Sequence, residues 1–483
     1  MGWLAISGAL CALAFAPLNW WWVLFFAPAL GLYRLYGAGI AQAAWGAFWW
    51  GGGYWVALSV SALPVFQQGD SEWAGGVAWT LALLWMLGWW TAFGALLGWL
   101  RLQGWQWVVG AACLWTLMSW ARTLGALGFP WGMLAQGLGQ TPFLLLPASL
   151  GGAWLVEWLI IAWNGALALA WRGQGRTASA LGGFIALFWL GYGAGYRLWT
   201  PPPTGTLRVG VVYLMPSSVY APQIQRERYE SLIRTAVQQG AQWVAFPEAT
   251  ETCADPADPN ARRWQHWSAQ YGTCLLVGAS ITHAASRKNC NSALAFTPDL
   301  PPARYDKVKL MAFTEWLPPA PFKNLLRPLG IHGEGLLAGE RIEPLRVEGQ
   351  PPVGTLICVE SLFGWTARQQ VQRGAQWLCL LTAEGSLKNA TVRQQYTDFT
   401  MLRAIETGRW VARAAFDGYE VGFYGPLGER VVQHPQKTMV AVGTVGLYAR
   451  QTPYVRFGDW WVYLCVIAVG MLGWRARTQG VSD

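Results

Sequence analysis

Charge is what this sequence has least of. Only 12% of its 483 residues are Asp, Glu, Lys or Arg while 54% are hydrophobic, whereas an ordinary soluble domain carries about 25% charged residues. The shortage excludes a typical soluble protein and places the chain in a membrane. Lysine is absent from the first 287 residues, and histidine occurs only as His266, His283, His332 and His434. None of the four follows a strand-like run, so they read as solvated surface groups and not as a catalytic base. The eight cysteines, at 11, 113, 253, 274, 290, 358, 379 and 465, include no C-x-x-C pair, so neither a zinc site nor a disulfide framework is indicated. Pairing among Cys253, Cys274 and Cys290 stays open, since an oxidising compartment would permit it and sequence fixes no distance. The net charge of +9 is scattered. No basic stripe with interleaved aromatics exists for nucleic acid, which leaves anionic lipid headgroups as the counter-charge. Repeats and low-complexity tracts are also missing.

What is present is apolar and aromatic, with 35 Trp and 57 Gly. Runs long enough to span a bilayer, at about 20 residues each, can be drawn at 1–16, 19–37, 39–62, 75–100, 105–121, 143–171, 178–199 and 459–474. Met1 to Pro17 has the length of a secretory signal but lacks a basic start and leads into further apolar segments, so it is read as the first span. Arg34, Arg101, Arg172, Arg176, Arg475 and Arg477 fall in alternate loops and at the C-terminus, while Asp70 and Glu72 mark an opposite loop. The positive-inside rule then puts both termini in the cytoplasm and residues 204–456 on the outer face. Trp20-Trp21-Trp22, Trp49-Trp50 and Trp460-Trp461 sit at segment ends as interfacial belts. Glu157 is the main ionisable residue within a span, and one carboxylate is as readily a structural hydrogen-bond partner as part of a proton path. The loop from Trp120 to Gln140, with Arg122 and Gly128-Phe129-Pro130-Trp131, is either a re-entrant packing element or part of a lipid access route.

After Thr200-Pro201-Pro202-Pro203, a stiff hinge, the pattern changes. Strand signals at Leu207–Leu214, Trp243–Phe246, Thr273–Ser280, Asn291–Thr297, Pro352–Cys358 and Trp377–Leu381 alternate with helix signals at Gln223–Gln239, Arg262–Tyr271, Trp365–Arg373 and Val392–Gly408. This predicts α/β layers around a buried sheet. The expected organisation is a seven-helix membrane region (1–203), an inserted α/β domain (204–456) and a last span with a cytoplasmic tail (457–483).

Three strand-end stretches in the insert carry useful side chains. Trp243-Val244-Ala245-Phe246-Pro247-Glu248 presents a carboxylate, Arg304-Tyr305-Asp306-Lys307-Val308-Lys309-Leu310 brings lysines, and Gly354-Thr355-Leu356-Ile357-Cys358-Val359-Glu360-Ser361 brings a thiol. A thiol is mostly protonated at neutral pH, a neighbouring cation favours its thiolate, and a carboxylate can take its proton. Lysine beside a reacting carbonyl can also stabilise an oxyanion. Glu248, Lys307 and Cys358 thus supply base, electrostatic clamp and nucleophile. Taken singly, Cys358 reads more often as a buried core cysteine and Glu248 as a helix-start carboxylate.

The Phe-Pro-Glu, Tyr-Asp-Lys-x-x-Leu and Ile-Cys-x-Glu elements, in that order, resemble the nitrilase superfamily with its Glu–Lys–Cys triad on an αββα sandwich. With seven spans before and one after, the resemblance narrows to the membrane-bound branch, the apolipoprotein N-acyltransferases. Gly128-Phe129-Pro130-Trp131, Leu276-Val277-Gly278, Asn291-Ser292, Phe313-Thr314-Glu315, Arg403-Ala404-x-Glu406-x-Gly408-Arg409 and Thr452-Pro453-Tyr454 with Arg456-Phe457-Gly458-Asp459-Trp460 support it. The resemblance implies a polytopic helical membrane protein of about eight spans in a bacterial inner membrane, with an extracytoplasmic nitrilase-like domain. It implies Glu248 as general base, Lys307 as transition-state stabiliser, Cys358 as acylated nucleophile, and Glu315 and Glu360 as auxiliary carboxylates. Lys309 stands where relatives often have histidine and is given no catalytic role. Leu310 to Leu337 would form a mobile arm over the site.

The expected activity is ping-pong acyl transfer without metal or organic cofactor. The donor would be a phospholipid, attacked at the sn-1 ester, and the acceptor the amine of a diacylglyceryl-cysteine at an apolipoprotein N-terminus. Departures fall around the pocket: Thr382-Ala383-Glu384-Gly385-Ser386-Leu387 replaces an Asn-Asp-x-Trp-Phe element, Leu214-Met215-Pro216 an Asn-Ile-Pro, Val359 a tyrosine, and Phe416-Asp417-Gly418 an Asn-Asn-Gly region. They leave two alternatives: an amidase or acyltransferase with another acceptor, or an inactive lipid- or lipoprotein-binding scaffold.

Overall fold

The structure, a computed structural model, describes all residues except 68–71, 217–221, 254–257, 283–285, 319–323, 325–332 and 480–483. The chain divides into two compact units, Met1–Thr200 with Phe457–Asp483, and Pro201–Arg456.

The first unit is helical. Among the described residues, three helices are long and apolar enough to cross a membrane, Trp73–Leu100, Ala148–Trp171 and Gly175–Trp199. Ile40–Ser59, Gly104–Ala121 and Trp460–Gln479 are also helical. The first expected span is α-helix only over Gly2–Ala12, and the second begins as a 3-10 turn, Trp21–Phe25, before its helix at Ala27–Leu35. Glu157 is fully buried and satisfied: its Oε2 accepts from Trp115 Nε1 at 2.6 Å and Ser119 Oγ at 3.0 Å, and its Oε1 from the Ala135 amide at 2.7 Å. These bonds make it a structural hydrogen-bond partner of the bundle. Arg122 donates to the carbonyls of Phe129 (3.0 Å) and Trp131 (2.7 Å), which folds the Gly128–Trp131 loop around a buried guanidinium. Asp459 accepts from Trp154 Nε1 at 3.0 Å and Trp120 Nε1 at 3.3 Å, tying the start of the last helix to two others.

Among its described residues, the second unit is built on eleven strands. The strands are β1 (Gly205–Leu214), β2 (Trp243–Cys253), β3 (Cys274–Thr282), β4 (Asn289–Phe296), β5 (Ala303–Asp306), β6 (Val353–Ile357), β7 (Trp377–Ala383), β8 (Val411–Phe416), β9 (Val421–Tyr424), β10 (Arg430–Gln433) and β11 (Met439–Leu447). Two limbs share β1. One runs β11-β1-β2-β3-β4-β5, with β1, β2 and β3 parallel; the other runs β6-β7-β8-β9-β10, with β6, β7 and β8 parallel. They join where Tyr213 and Leu214 of β1 pair with Ala415 and Phe416 of β8.

Side-chain alternation decides which face goes where. On β1, Leu207, Val209, Val211 and Tyr213 enter a core with Trp243, Ala245 and Leu276, and with Trp377, Cys379 and Leu381 of the other limb. Val212 and Leu214 instead join Val244, Phe246, Leu275 and Val277 under the helices Pro222–Gln238 and Pro259–Tyr271, which contribute Tyr229, Ile233 and Trp264. Trp243 and Trp377 meet edge to face at 5.8 Å where the limbs oppose each other. Burial on both faces is why these strands read as continuous apolar runs. Cys253, Cys274 and Cys290 are buried free thiols.

Candidate active site

Parallel strands bring their carboxyl ends to one edge of the sheet, and the chemistry-bearing residues gather there. β6 ends at Ile357, not at the cysteine; Cys358 opens a 3-10 turn, Cys358–Leu362. Its φ of +48° is costly for a residue with a Cβ, by about 1–3 kcal/mol. The turn is closed by Arg403, which donates to the carbonyls of Leu362 (2.9 Å) and Ser361 (3.4 Å), and by Ser361 Oγ donating to Cys358 O at 2.9 Å. Cys358 is half-buried, the least covered of the eight cysteines.

Glu248 lies within β2, which does not stop at Pro247 as its sequence suggests. The pairing with β3 breaks after Phe246 and resumes at Glu251, with Ala249 at φ +54°. Glu248 thus sits on a bulge, which re-aims its side chain. Its Oε1 accepts from Lys307 Nζ at 3.1 Å and from Asn291 Nδ2 at 2.6 Å, and its Oε2 from the Ala383 amide at 2.8 Å. Lys307 follows β5, is 1% exposed, and also donates to Glu315 Oε1 at 2.7 Å. Glu315 accepts further from Asn291 Nδ2 (3.2 Å) and, through Oε2, from the Met311 amide (2.7 Å). Two carboxylates therefore flank one ammonium, with Asn291 bridging them. Burial works against the lysine's charge, but Glu248, Cys358 and Glu315 outweigh it, so its pKa lies above that of ordinary lysine.

Burial pushes the Cys358 thiol up to about 12, with Glu248 adding to the rise and Lys307 and a hydrogen bond from Tyr396 opposing it. The resting group is thus a thiol whose proton must be taken when it reacts. Glu360 is fully buried; its Oε2 accepts from the Ile357 amide (2.9 Å), and its Oε1 from Tyr305 Oη (2.9 Å) and the amides of Val308 (2.8 Å) and Lys309 (3.2 Å). It fastens the end of β6 to the backbone just after Lys307. Lys309 places its ammonium 4.7 Å from the Phe363 ring centroid, and burial lowers its pKa to about 8.

Sequence reasoning gave no site role to Asn291, the Ala383 amide or Tyr396, whose hydroxyl lies 3.4 Å from Cys358 Sγ. The altered segments also meet each other. Leu214 O accepts from the Asp417 amide (2.8 Å) and Phe416 O from the Glu384 amide (2.9 Å). Asp417 takes a bidentate contact from Arg393, 2.8 Å on each side, and fully buried Glu384 pairs with fully buried Arg413. Of the arm expected over Leu310–Leu337, residues 319–323 and 325–332 lie outside the described residues, as do His283 and His332. At its root, Glu334 and Leu336 donate backbone hydrogen bonds to Thr314 (2.7 Å) and Glu315 (3.0 Å). His266 and His434 are exposed, consistent with their reading as surface groups.

Comparison with known families decides the lineage. The model of the carbon-nitrogen hydrolase family matches residues 208–453, about half of the chain. The chain belongs to the carbon-nitrogen hydrolase family. A second model, the apolipoprotein N-acyltransferase N-terminal domain, matches residues 7–166. Among curated relatives, the chain is 26% identical to an apolipoprotein N-acyltransferase of Vibrio vulnificus, over 98% of this chain and 96% of the relative. It is 28% identical to one of Gloeobacter violaceus, over 88% of this chain and 89% of the relative. Solved structures similar to it include an amidase of Nesterenkonia sp. AN1, with 17% identity and a TM-score of 0.39 over 53% of this chain and 98% of that one. The NitFhit protein of C. elegans gives 17% identity and a TM-score of 0.40 over 53% of this chain and 63% of that one.

Proposed function

We propose that the chain is a membrane-bound N-acyltransferase of lipoprotein maturation, moving an acyl chain from a phospholipid through a Cys358 thioester to the amine of a diacylglyceryl-cysteine. The observation that carries this reading is the arrangement of Glu248, Lys307 and Cys358 at one sheet edge, in a chain similar end to end to proteins named apolipoprotein N-acyltransferase. In the first half-reaction Glu248 takes the Cys358 proton and Sγ attacks the ester carbonyl. Lys307 steadies the oxyanion, the C–O bond breaks, and Glu248 returns the proton to the departing lysophospholipid hydroxyl. In the second, the acceptor amine attacks the thioester and loses a proton to Glu248. The C–S bond breaks, leaving its electron pair on sulfur, and that proton restores the thiol. Glu315 and Glu360 act as auxiliaries, the first balancing Lys307 and the second fixing the backbone between the lysine and the cysteine.

The same reading sets the chain in a bacterial inner membrane with about eight spans, both termini cytoplasmic and residues 204–456 on the outer face, as an αββα sandwich. The alternating arginine loops support this, as do the helices of the first unit and the opposed sheet limbs of the second. Both substrates are lipid-anchored, so the enzyme need only align them in one leaflet. The test is transfer of a labelled acyl chain to a diacylglyceryl-cysteine peptide by the purified full-length protein. Cys358→Ala abolishes transfer and Cys379→Ala largely preserves it; equal loss in both would remove Cys358 as nucleophile. A different acceptor amine is the second reading. The observation favouring it is that Leu214, Glu384 and Phe416–Gly418, all departures from the family pattern, form one connected patch beside Ala383. A wild-type protein that becomes acylated yet ignores the lipopeptide would support it.

A further inference from the structure

We infer that Tyr396 is a further catalytic residue, its phenol hydroxyl donating a hydrogen bond to the Cys358 thiolate each time that thiolate forms or departs. The inference rests on Cys358 being the nucleophile. The geometry is specific. Tyr396 Oη lies 3.4 Å from Sγ, an ordinary O–H···S separation, while the Ala383 carbonyl is 4.0 Å from the same sulfur on another element.

Helical spacing explains why the hydroxyl is held there. Tyr396 and Arg403 stand seven residues apart on the Ala390–Thr407 helix, hence on one face. Arg403 holds the carbonyls of Ser361 and Leu362, so the same helix face that carries the phenol is fastened to the turn carrying the thiol. At the helix start, Arg393 grips Asp417 bidentately, and Asn389 caps the first turn by accepting from the Thr391 amide at 2.8 Å. The phenol is therefore pinned from both directions along its helix. The Tyr396 proton is also secure: burial, and then the charge that forms on Cys358, raise its pKa well above that of ordinary tyrosine. A phenol that keeps its proton can only donate to an anionic sulfur.

Lys307 alone is a shared cation, already engaged by two carboxylates. The tyrosine gives the sulfur a neutral donor of its own. No proton is transferred in this role. In thioester formation the hydroxyl steadies the attacking thiolate, and in aminolysis it steadies the same thiolate as the C–S bond breaks and the electron pair returns to sulfur.

The test compares full-length wild type, Tyr396→Phe and protein carrying 3-fluorotyrosine at 396, in detergent. The readout is the rate of alkylation at Cys358, followed by peptide mass spectrometry with one small and one bulky reagent at pH 7 to 9. Hydrogen bonds to charged groups are the stronger kind, so the Phe variant should react about tenfold more slowly. The factor should be the same for both reagents, because the thiolate population falls and not its accessibility. The fluorinated phenol, a more acidic donor, should react faster than wild type, and this arm stands even if Tyr396→Phe does not fold. Equal rates for all three proteins, or a loss confined to the bulky reagent, would overturn the role of Tyr396. Absence of any acyl adduct on wild-type Cys358 with phospholipid would instead overturn the nucleophile assignment, independently of the alkylation series.

Discussion

Lys307 is the residue whose removal separates stability from chemistry. Its ammonium lies 2.7 Å from Glu315 Oε1 and 3.1 Å from Glu248 Oε1, with 1% of the side chain exposed. Lys307→Met keeps the length and volume but leaves two buried carboxylates facing each other with no cation between them. Breaking a buried ion pair from one side costs about 3–5 kcal/mol. Asn291 Nδ2 still reaches both carboxylates, at 2.6 and 3.2 Å, which favours the lower end of that range. In a domain of this size about 3 kcal/mol lowers the melting temperature by roughly 6–12 °C. Adding Glu315→Gln removes one of the stranded charges, and neighbouring groups of this kind couple by about 0.5–3 kcal/mol. The double variant should therefore melt several degrees above Lys307→Met. Acyl transfer should stay lost in both, because neither restores the cation at the reacting carbonyl. The assay is calorimetry of the detergent-solubilised proteins beside the transfer reaction. Additive melting shifts, or a Lys307→Met protein that melts with wild type, would refute the view that this lysine neutralises both carboxylates.

Asn291→Ala removes the bridge between Glu248 and Glu315 and should cut the acylation rate by about 10- to 100-fold with little change in phospholipid KM; a KM effect alone would contradict its role in setting the base. The Cys358 thiol, pushed up to about 12, is protonated throughout the neutral range, so its thiolate fraction rises about tenfold per pH unit below that value. Substrate-free alkylation at Cys358 should accordingly climb from pH 7 to 10 without levelling off, and a curve that bends over between about pH 8.5 and 9.5 would show an unperturbed thiol. Arg413→Leu strands Glu384, with both side chains fully buried, and should destabilise the second unit by about 3–5 kcal/mol, measured by thermal unfolding. Wild-type melting in that variant would mean the pair carries no net stabilisation.

Much of the second unit is legible in the sequence because its strands are buried on both faces and flanked by turn residues. Val244 and Phe246 pack under helices while Trp243 and Ala245 pack between the limbs, which gives the unbroken apolar run that betrays β2. The bulge at Glu248 is not legible, since it depends on where β3 pairs again after Pro247. No strand is expected over β8 to β11, although β8, β9 and β11 are largely apolar, because they are short or broken by glycine and the place of β11 is defined only by its antiparallel pairing along β1. At the site, the strand-end positions of Lys307 and Cys358 stood out through their neighbours Tyr305 and Glu360, which hydrogen-bond each other at 2.9 Å. Tyr396 carried no such signal. A tyrosine in an apolar-polar helix reads as packing, and only the fold brings its hydroxyl across to a thiol 38 residues earlier in the chain.

The thioester is the central claim, and intact-mass spectrometry reaches it most directly. Purified wild type and Cys358→Ser are incubated with phospholipid and no acceptor. The account predicts an added acyl mass on wild type alone, removed by hydroxylamine and mapped to the peptide carrying Cys358. A folded wild-type protein that acquires no acyl mass, or one in which Cys358→Ser carries the same hydroxylamine-labile adduct, would contradict it.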